Sequence, residues 1–451
     1  MSFVRRGRRH ALSKGRRRLI AVVAAAAAAA VAVPLALTDS ATAEPDTSVG
    51  YPSAGSATWF SGKAFDACTA PPLTTIKAWA ASPYRGLGVY ISGVNRTCTQ
   101  AELTAAYVTE VSRLGWRLLP IHKGLQPACG ARATDQKISL TKATAYTQGT
   151  AAATEAVAGA KERGMLPGSA LYNDIEHYDP ADTACRDSVL SYLSGWTRKL
   201  HASGYLAGAY LNLNLGAANL ADAYHSTAYA RPDALWIARY DGVASLKGWT
   251  GITDTKWSVH QRAKQYQGDV TETWGGVTQP IDRNLVDAPT ATVAHTYTAA
   301  KALTARTAPN ATATAVTTYP AASAVGVVCQ ASGTKVGTTW VWDKLTDGSY
   351  VPDSYVSTPS KTTFSPPLPK CRYPWQVNAP TGLKQRTGPS TSYDAVGSLP
   401  NGALAWVACQ KGGSKVGTTW VWNKLDNGYW VSDYYVTNPS NTTFSKPAPR
   451  C

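Results

Sequence analysis

The chain has 451 residues, of which 44 are Lys or Arg and 28 are Asp or Glu, so its formal net charge at pH 7 is +16. This length predicts two or three domains. The positive charge is concentrated near the N-terminus, and residues 44–451 contain no run of basic residues of the kind that binds nucleic acid. Composition therefore argues against a nucleic-acid partner.

Residues 1–43 have the pattern of an export signal. An apolar run from Leu19 to Leu37 follows eight basic residues, and Ala41-Thr-Ala43 is a small-residue cleavage site. The pattern predicts a signal peptide and no lasting membrane span. Its basic part, Gly15-Arg-Arg-Arg-Leu-Ile20, fits either a twin-arginine signal or an ordinary basic n-region. We expect a secreted, extracellular or cell-wall-associated protein.

Removing residues 1–43 takes away those eight basic residues and Asp39, which leaves 36 basic and 27 acidic residues. The remaining positive charge suits a polyanionic partner such as an anionic cell wall.

After a leader at residues 44–62, strands and helices alternate over residues 63–288. The predicted strands are 63–68, 86–93, 116–122, 169–179, 205–211, 235–240, 263–267 and 279–284, and the predicted helices are 73–81, 99–115, 139–163, 182–203 and 217–225. This alternation indicates an α/β fold, a (β/α)8 TIM-type barrel, in which the C-terminal strand ends carry the chemistry. The acidic residues at such ends are Asp66, Asp174, Glu176, Asp241 and Asp282.

Asp174 and Glu176 lie two residues apart near the end of the fourth strand. Side chains at i and i+2 of a strand point to the same side, so both carboxylates face one place. Two such carboxylates could divide acid and stabiliser roles on a sugar. They could also cap the helix that follows.

Residues 289–303 have the composition of a linker, and beyond them the sequence repeats at an offset of 80. Lys335-Val-Gly-Thr-Thr-Trp-Val-Trp342 recurs unchanged as Lys415–Trp422. Alternating Val, Trp and Tyr residues predict two small all-β domains at 304–371 and 372–451. We expect Trp340, Trp342, Trp420 and Trp422 to alternate between inward and outward positions, and the outward ones could bind wall polymer.

Eight Cys residues follow the signal peptide, an even number that favours disulfides in an exported chain. The repeated spacing predicts Cys329–Cys371 and Cys409–Cys451. The other four allow three pairings, of which we expect Cys68–Cys98 and Cys129–Cys185. Because the sequence contains neither C-x-x-C nor a ligand-spaced His pair, we predict no metal and no other cofactor.

Residues 63–288 resemble the glycoside-hydrolase-like family catalogued as domain of unknown function 1906. The segments that carry the resemblance are Phe65-Asp-Ala-Cys68, Gly88-Val-Tyr-Ile-Ser-Gly-Val-Asn95, Gly124-Leu-Gln126, Tyr172-Asn-Asp-Ile-Glu176, Trp236-Ile-Ala-Arg239, His260-Gln261, Gln265-Tyr266 and Ile281-Asp-Arg-Asn284. That family is similar in layout to glycoside hydrolase family 25 lysozymes, which cut peptidoglycan. Asn173 and Ile121-His-Lys123 depart from the family pattern. The C-terminal repeats resemble bacterial SH3-type domains, which commonly bind cell-wall peptide or glycan.

The resemblance implies that Asp66, Asp174, Glu176 and Asp282 occupy the acidic positions of the lysozymes. Glu176 is then the general acid/base, and Asp174 orients an N-acetyl group, stabilises positive charge or attacks directly. Asp66 and Asp282 would act electrostatically, although Asp282 could instead pair with Arg283 as scaffold.

Five further residues could line the cleft and bind substrate, with core packing as the alternative for each: Tyr90, Trp236, Tyr240, Gln265 and Asn284. His122 and His177 are left outside the catalytic set, because a lone His is more often structural.

Together these features predict a secreted hydrolase of cell-wall glycan, with peptidoglycan as partner and muramidase-type β-1,4 cleavage. Two alternatives remain open at this point. One is a non-catalytic protein that binds wall glycan, and the other is a glycosidase that acts on a different polysaccharide.

Overall fold

The computed structural model describes residues 55–451. The predicted signal peptide and most of the leader lie outside them. The first strands are β1 (Thr58–Asp66), β2 (Tyr84–Ser92), β3 (Arg117–His122), β4 (Met165–Leu166), β5 (Ala170–Ile175), β6 (Leu206–Asn212), β7 (Ala234–Ala238), β8 (Arg262–Trp274) and β9 (Val277–Thr290). The helices are α1 (Leu73–Ala78), α2 (Ala105–Arg113), α3 (Lys142–Glu162), α4 (Thr183–Ala202) and α5 (Ala218–Asp222). A 3-10 turn (Trp79–Ala81) extends α1, and a π-helical turn (Leu213–Ala217) precedes α5.

Eight strands close into a barrel in the order β1-β2-β3-β5-β6-β7-β8-β9. Strands β1 to β8 of this barrel run parallel to their neighbours, whereas β9 runs antiparallel to both β8 and β1. The mixed α/β class and the closed barrel agree with the prediction. The parallel orientation expected for the eighth strand is wrong.

A tight turn explains the antiparallel strand. Gly275 and Gly276 have φ of 57° and 78°, the left-handed backbone that a two-residue hairpin turn requires. Trp274 therefore pairs with Val277, and β8 and β9 form one long hairpin. The Gly-Gly pair is a hairpin signal in the sequence, but the predicted strands 263–267 and 279–284 stop short of it.

Helix α2 begins at Ala105, six residues after the predicted start. Thr104, and not Thr99, is its N-cap and accepts a hydrogen bond from the Tyr107 amide at 3.2 Å. The Gln100 side chain donates to the Cys68 carbonyl at 2.6 Å and accepts from the Ala70 amide at 3.0 Å. These bonds hold residues near Cys98 against the loop after β1, so the helix starts later.

Helices α3 and α4 pack closely because each presents a glycine to the other. A Cβ on Gly149 would lie 1.9 Å from the Tyr192 carbonyl oxygen, and one on Gly195 would lie 2.1 Å from that of Tyr146. Asp182 caps α4 by accepting from the Cys185 amide at 3.0 Å. The alternative in which Asp174 or Glu176 caps this helix is therefore excluded.

The repeats form two further sheets. The first has β11 (His295–Thr298), β12 (Leu303–Arg306), β13 (Ala315–Tyr319), β14 (Ala324–Val336), β15 (Thr339–Leu345) and β16 (Tyr350–Pro352) in the order β11-β14-β15-β16-β12-β13, after a short β10 (Thr292–Val293) that pairs with β4. The second has β17 (Tyr373–Val377), β18 (Leu383–Arg386), β19 (Ala395–Leu399), β20 (Leu404–Val416), β21 (Thr419–Leu425), β22 (Trp430–Ser432) and β23 (Val436–Thr437) in the order β19-β18-β22-β21-β20-β17-β23. Much of the expected linker 289–303 lies in β9, β10, β11 and β12 and is not an unstructured segment.

All four disulfides pair as predicted. They join Cys68 to Cys98, Cys129 to Cys185, Cys329 to Cys371 and Cys409 to Cys451. Disulfides are typical of oxidising compartments, which agrees with an extracellular protein. Within residues 55–451, no helix is both long and apolar enough to cross a membrane.

The repeats contact the end of the barrel where the parallel strands begin. Before β7, Arg231 donates to the Gly402 carbonyl at 2.7 Å, and before β8, Gln261 accepts from the Leu404 amide at 3.2 Å. At the start of β3, Arg117 donates to the Pro367 carbonyl at 2.9 Å. The opposite end of the barrel, where the predicted acidic residues lie, is left uncovered by these contacts.

Candidate active site

The four acidic residues meet at the C-terminal end of the parallel strands. Asp66 ends β1, Asp174 lies in β5 with Glu176 just after it, and Asp282 pairs with Asp66 across β1 and β9. Burial raises the pKa of Tyr90 far above its ordinary value, and the charges of Asp174, Asp66, Asp282 and Glu176 raise it further. The hydroxyl of Tyr90 thus interacts electrostatically with all four carboxyls, which are far apart along the chain.

Two buried amides bind Asp66 and Asp282. The Gln265 side chain donates to Asp66 Oδ2 at 3.0 Å and to Asp282 Oδ2 at 3.2 Å. Asn284 donates to Asp66 Oδ2 at 2.7 Å. Burial and the neighbouring charge of Asp282 raise the pKa of Asp66, and burial raises that of Asp282. A shared proton would relieve the repulsion between this pair.

Asp174 is enclosed and partly unsatisfied. Its side chain is 3% exposed, and Oδ1 has no hydrogen-bond partner among residues 55–451. Burial raises its pKa to about 7, although the positive charge of Lys123 opposes the shift. A carboxyl with this pKa can hold a proton near neutral pH, which sugar chemistry requires of an acid.

Glu176 is more exposed than its neighbours and forms an ion pair. Its side chain is 31% exposed; Lys123 Nζ contacts Oε1, and Arg132 Nη2 lies 3.9 Å from Oε2. The Glu176 amide donates to Gln126 Oε1 at 2.9 Å, while Gln126 Nε2 donates to the Asp174 carbonyl at 2.8 Å. Gln126 therefore fixes the backbone that carries both carboxylates.

A cavity of about 260 Å³ opens beside Glu176. The residues that line it with Glu176 are His177, Tyr210, Asn212, Ala238, Arg239 and Tyr240. Tyr210 and Tyr240 donate to Gln265 Oε1 at 2.7 and 2.8 Å. The same amide thus connects the cavity wall to the buried Asp66–Asp282 pair.

The expected substrate-binding residues divide into two groups. Tyr240 is 62% exposed and lines the cavity, and Tyr90 is partly buried among the carboxyls. Trp236 is 1% exposed, packs edge-on against Tyr172 and Tyr210, and donates to Asn284 at 2.8 Å. Of the two roles left open for Trp236, the structure favours core packing over lining the cleft, because its ring fills the barrel core.

Gln265 and Asn284 are also buried, at 3% and 0% exposure. Their amides are occupied by the carboxyls and neighbouring rings described above. Neither lines the cavity, so the expectation of direct substrate contact is wrong for both. They act on the site by holding Asp66 and Asp282.

The proposed scaffold pair Asp282–Arg283 does not form. Arg283 binds Glu272 at 2.5 Å, and Asp282 Oδ1 accepts from the Asp269 amide at 2.7 Å. Asp241, the fifth acidic residue at a strand end, is bound by Lys264 at 2.7 Å and Arg239 at 3.0 Å. These two ion pairs hold Asp241 in the loop that follows β7.

The two histidines differ in environment. His122 is 1% exposed, binds Ser92 at 2.8 Å and stacks on Trp196, and burial lowers its pKa to about 4. Its neutral, enclosed ring fits the structural role expected for it. His177 lines the cavity beside Glu176.

Several site residues escaped the sequence analysis, namely Lys123, Gln126, Arg132, Tyr210, Asn212 and Arg239. Lys123 was visible as a departure from the family pattern, one residue after β3. Tyr210 and Asn212 were visible as polar or aromatic side chains at the end of β6, where a barrel places its chemistry. Arg132 lies in a long loop whose path no local pattern predicts.

The barrel matches a known family model. Residues 77–286 match the family model of the Rv2525c-like, glycoside hydrolase-like domain. This match covers slightly less than half of the chain and supports a hydrolase. None of the curated proteins compared with the chain matches it.

Solved structures with related barrels share little sequence with this chain. The Mycobacterium tuberculosis Tat-secreted protein Rv2525c is 15% identical over 50% of this chain and 96% of its own, with a TM-score of 0.37. The Streptococcus pneumoniae autolysin LytC is 16% identical over 50% and 46%, with a TM-score of 0.34. The Clostridium perfringens spore cortex lytic enzyme SleM is 12% identical over 64% and 95%, with a TM-score of 0.35.

Proposed function

We propose that this protein is a secreted glycoside hydrolase that cuts cell-wall glycan, with peptidoglycan and muramidase-type β-1,4 cleavage as the best-supported substrate and reaction. One observation carries the proposal. Three carboxyls with raised pKa values, those of Asp66, Asp174 and Asp282, meet beside the exposed Glu176 at an open cavity. Glycosidic cleavage requires one carboxyl that donates a proton and a second that stays ionised, and carboxyls of unequal burial can divide these two roles.

Glu176 is the proposed general acid/base, because among the four it alone lines the cavity. A glycosidic oxygen needs a proton as it leaves, and the Lys123 ammonium occupies Oε1 of Glu176. The ion pair must therefore open when substrate enters. Asp174 would orient the substrate or stabilise positive charge at the sugar carbon, and Asp66 with Asp282 would set the local field.

The repeats, as SH3-like modules, would hold the enzyme on the wall. Their contacts with Arg117, Arg231 and Gln261 lie at the barrel end opposite Glu176, so anchoring leaves the cavity open. Tethering raises the local concentration of substrate without adding a catalytic contact.

Purified protein lacking residues 1–43 should release reducing sugar from insoluble cell walls, and Glu176→Gln should stop it. The matched control is Glu162→Gln, which removes the same charge from a side chain that is 73% exposed on α3. The control should retain full activity. The enzyme proposal fails if the wild-type protein releases no sugar from any wall or glycan.

The Lys123–Glu176 ion pair favours a second candidate, a non-catalytic glycan-binding protein. A carboxylate whose one oxygen is held by an ammonium can still accept hydrogen bonds from sugar hydroxyls. This candidate predicts sedimentation with insoluble peptidoglycan at high salt and no reducing ends. Binding without turnover selects it, whereas turnover that Glu176→Gln abolishes selects the hydrolase.

A further inference from the structure

A cleft of about 760 Å³ separates the two repeats, on a different part of the molecule from Glu176. We call it the inter-repeat cleft. Four basic side chains line it, Lys370, Arg372, Lys424 and Arg450, against a single acidic side chain, Asp426. Its volume falls within the range of ordinary ligand sites, roughly 300–1,000 Å³.

The cations of the inter-repeat cleft outnumber its acidic side chains. Within residues 55–451, none of the four forms an ion pair with a carboxylate. Asp426 lies 3.6 Å from His260, and its charge also acts on Arg372. One carboxylate does not balance four cations, so an anion would stabilise the arrangement.

Disulfides fix the position of two of these cations. Lys370 precedes Cys371 and Arg450 precedes Cys451, at equivalent places in the two repeats. The amides of Cys371 and Cys451 donate to the carbonyls of Gln330 and Gln410 at 2.8 and 2.9 Å. Each basic residue thus lies on a segment that a disulfide holds to the sheet. Less conformational entropy of the protein is therefore lost when a ligand binds.

An aromatic ring accompanies each of these cations. Lys370 lies 4.8 Å from the ring of Phe364, and Arg450 lies 3.9 Å from that of Phe444. Phe364 itself lines the inter-repeat cleft and contacts Trp340, which is 42% exposed. A ring face beside a cation suits a sugar that bears a negative group, since the sugar stacks on the ring and the anion binds the cation.

We propose that the inter-repeat cleft binds an anionic glycan, with its carboxylate or phosphate groups on Lys370, Arg372, Lys424 and Arg450 and a sugar ring on Phe364. This inference assigns a ligand chemistry to the wall-holding role proposed above and rests on that role. It does not require hydrolysis at the barrel.

The test measures binding of the disulfide-bonded protein lacking residues 1–43 to soluble polygalacturonate, phosphomannan and neutral dextran by titration calorimetry. We expect the charged polymers to bind, the affinity to fall with salt and dextran not to bind. The double variant Lys370→Gln/Arg450→Gln should weaken binding about tenfold or more, because a single charge-assisted hydrogen bond contributes that much. The stronger of the two charged polymers identifies the anionic group.

The matched control is Lys335→Gln/Lys415→Gln, which removes the same charge from exposed, repeat-equivalent lysines outside the cleft. It should bind like the unchanged protein. Any of three results would overturn the proposal. Both double variants could lose affinity equally, dextran could bind as well as the charged polymers, or single-stranded DNA could bind as tightly as the glycans. Reducing-sugar release is measured separately, so failure here leaves the test of hydrolysis intact.

Discussion

Lys123 and Glu176 form an ion pair across the loops that follow β3 and β5. The lysine is 14% exposed and the glutamate 31%, so solvent screens the contact only in part. Glu176 reaches the cavity while it is held by this ammonium. The site can therefore have two states. In one, Lys123 binds Glu176; in the other, the ion pair is open and Glu176 is free to act on a substrate.

Replacing Lys123 by Met tests whether the pair restrains catalysis. If Glu176 must leave Lys123 before it donates a proton, Lys123→Met should raise kcat about twofold to fivefold, the range that corresponds to a partly exposed ion pair. Reducing-sugar release at saturating substrate measures it. Lys142→Met, which removes an exposed ammonium from the pair with Asp187, should leave kcat unchanged. A fall in kcat would mean that Lys123 holds Glu176 in its working position.

Asp174 is expected to destabilise the fold at alkaline pH. Burial raises its pKa from 3.8 to about 7, so its contribution to stability is complete below the pKa of the unfolded chain and is lost as the pH rises through 7. Asp174→Asn cannot ionise and should unfold at a higher temperature than the wild type at pH 8. Its free energy of unfolding should be greater by on the order of 2–4 kcal/mol.

At pH 4 the Asp174→Asn and wild-type proteins should melt together, which calorimetry can check at both pH values. The variant should also lose activity, so a gain in stability would accompany a loss of function. Equal melting at pH 8 would contradict the enclosed, partly unsatisfied carboxyl that the structure describes.

His260 connects the barrel to the second repeat. Its Nδ1 lies 2.7 Å from Asp287 and its Nε2 lies 3.6 Å from Asp426, and the ring stacks on Trp59 at 3.6 Å. Burial alone would lower its pKa, but hydrogen bonds and charges of the two aspartates outweigh burial and raise it to about 9. Its stabilising contribution is therefore complete below the unfolded pKa of about 6.5 and is lost as the pH rises through 9.

We expect His260→Asn to unfold at lower temperature than the wild type at pH 6 and at nearly the same temperature at pH 10. Asn suits this position because the backbone has φ of 50°. Asp426→Asn should give a smaller loss at pH 6, because the Asp287 contact remains. An equal loss at pH 6 and pH 10 would show that ring packing, and not charge, connects the two parts.

A buried aspartate of the first repeat is replaced by an amide in the second. In the first, Gln330 donates to both Asp343 at 2.8 Å and Asp353 at 2.9 Å, and both aspartates are 0% exposed. In the second, Asn423 replaces Asp343 and donates to Asp433 at 2.9 Å. Burial raises the pKa of Asp343, and the charge of Asp353 raises it further, so ionisation of the pair at high pH is unfavourable.

Asp343→Asn gives the first repeat the amide that the second repeat has at Asn423. It should stabilise the protein at pH 8 by on the order of 1 kcal/mol. The effect should vanish near pH 2, well below the ordinary Asp pKa of about 3.9, where the carboxyls are protonated in both the folded and the unfolded chain. Thermal melting measures it, and Asp394→Asn, at an exposed position of the second repeat, is the control. Destabilisation at pH 8 would mean that the pair is held by partners that an amide cannot replace.

Local sequence patterns determined much of this architecture. Strand and helix periodicity placed most of the barrel strands to within a few residues, although β8 and β9 are longer than predicted, and the offset of 80 between repeats predicted the two terminal disulfides. The strand-end pattern pointed to Asp66, Asp174, Glu176, Asp241 and Asp282, and the family resemblance singled out four of these by leaving Asp241 aside. These features depend on short segments or on exact repetition, which a linear chain shows directly.

Tertiary structure alone decided the environment of each site residue. Whether Trp236 faces substrate or core, whether Glu176 meets Lys123, and where the repeats contact the barrel depend on residues brought together from distant parts of the chain. The antiparallel β9 likewise places Asp282 opposite Asp66 and beside Gln265. Burial and charge act over a few ångströms in space, and sequence spacing does not record those distances.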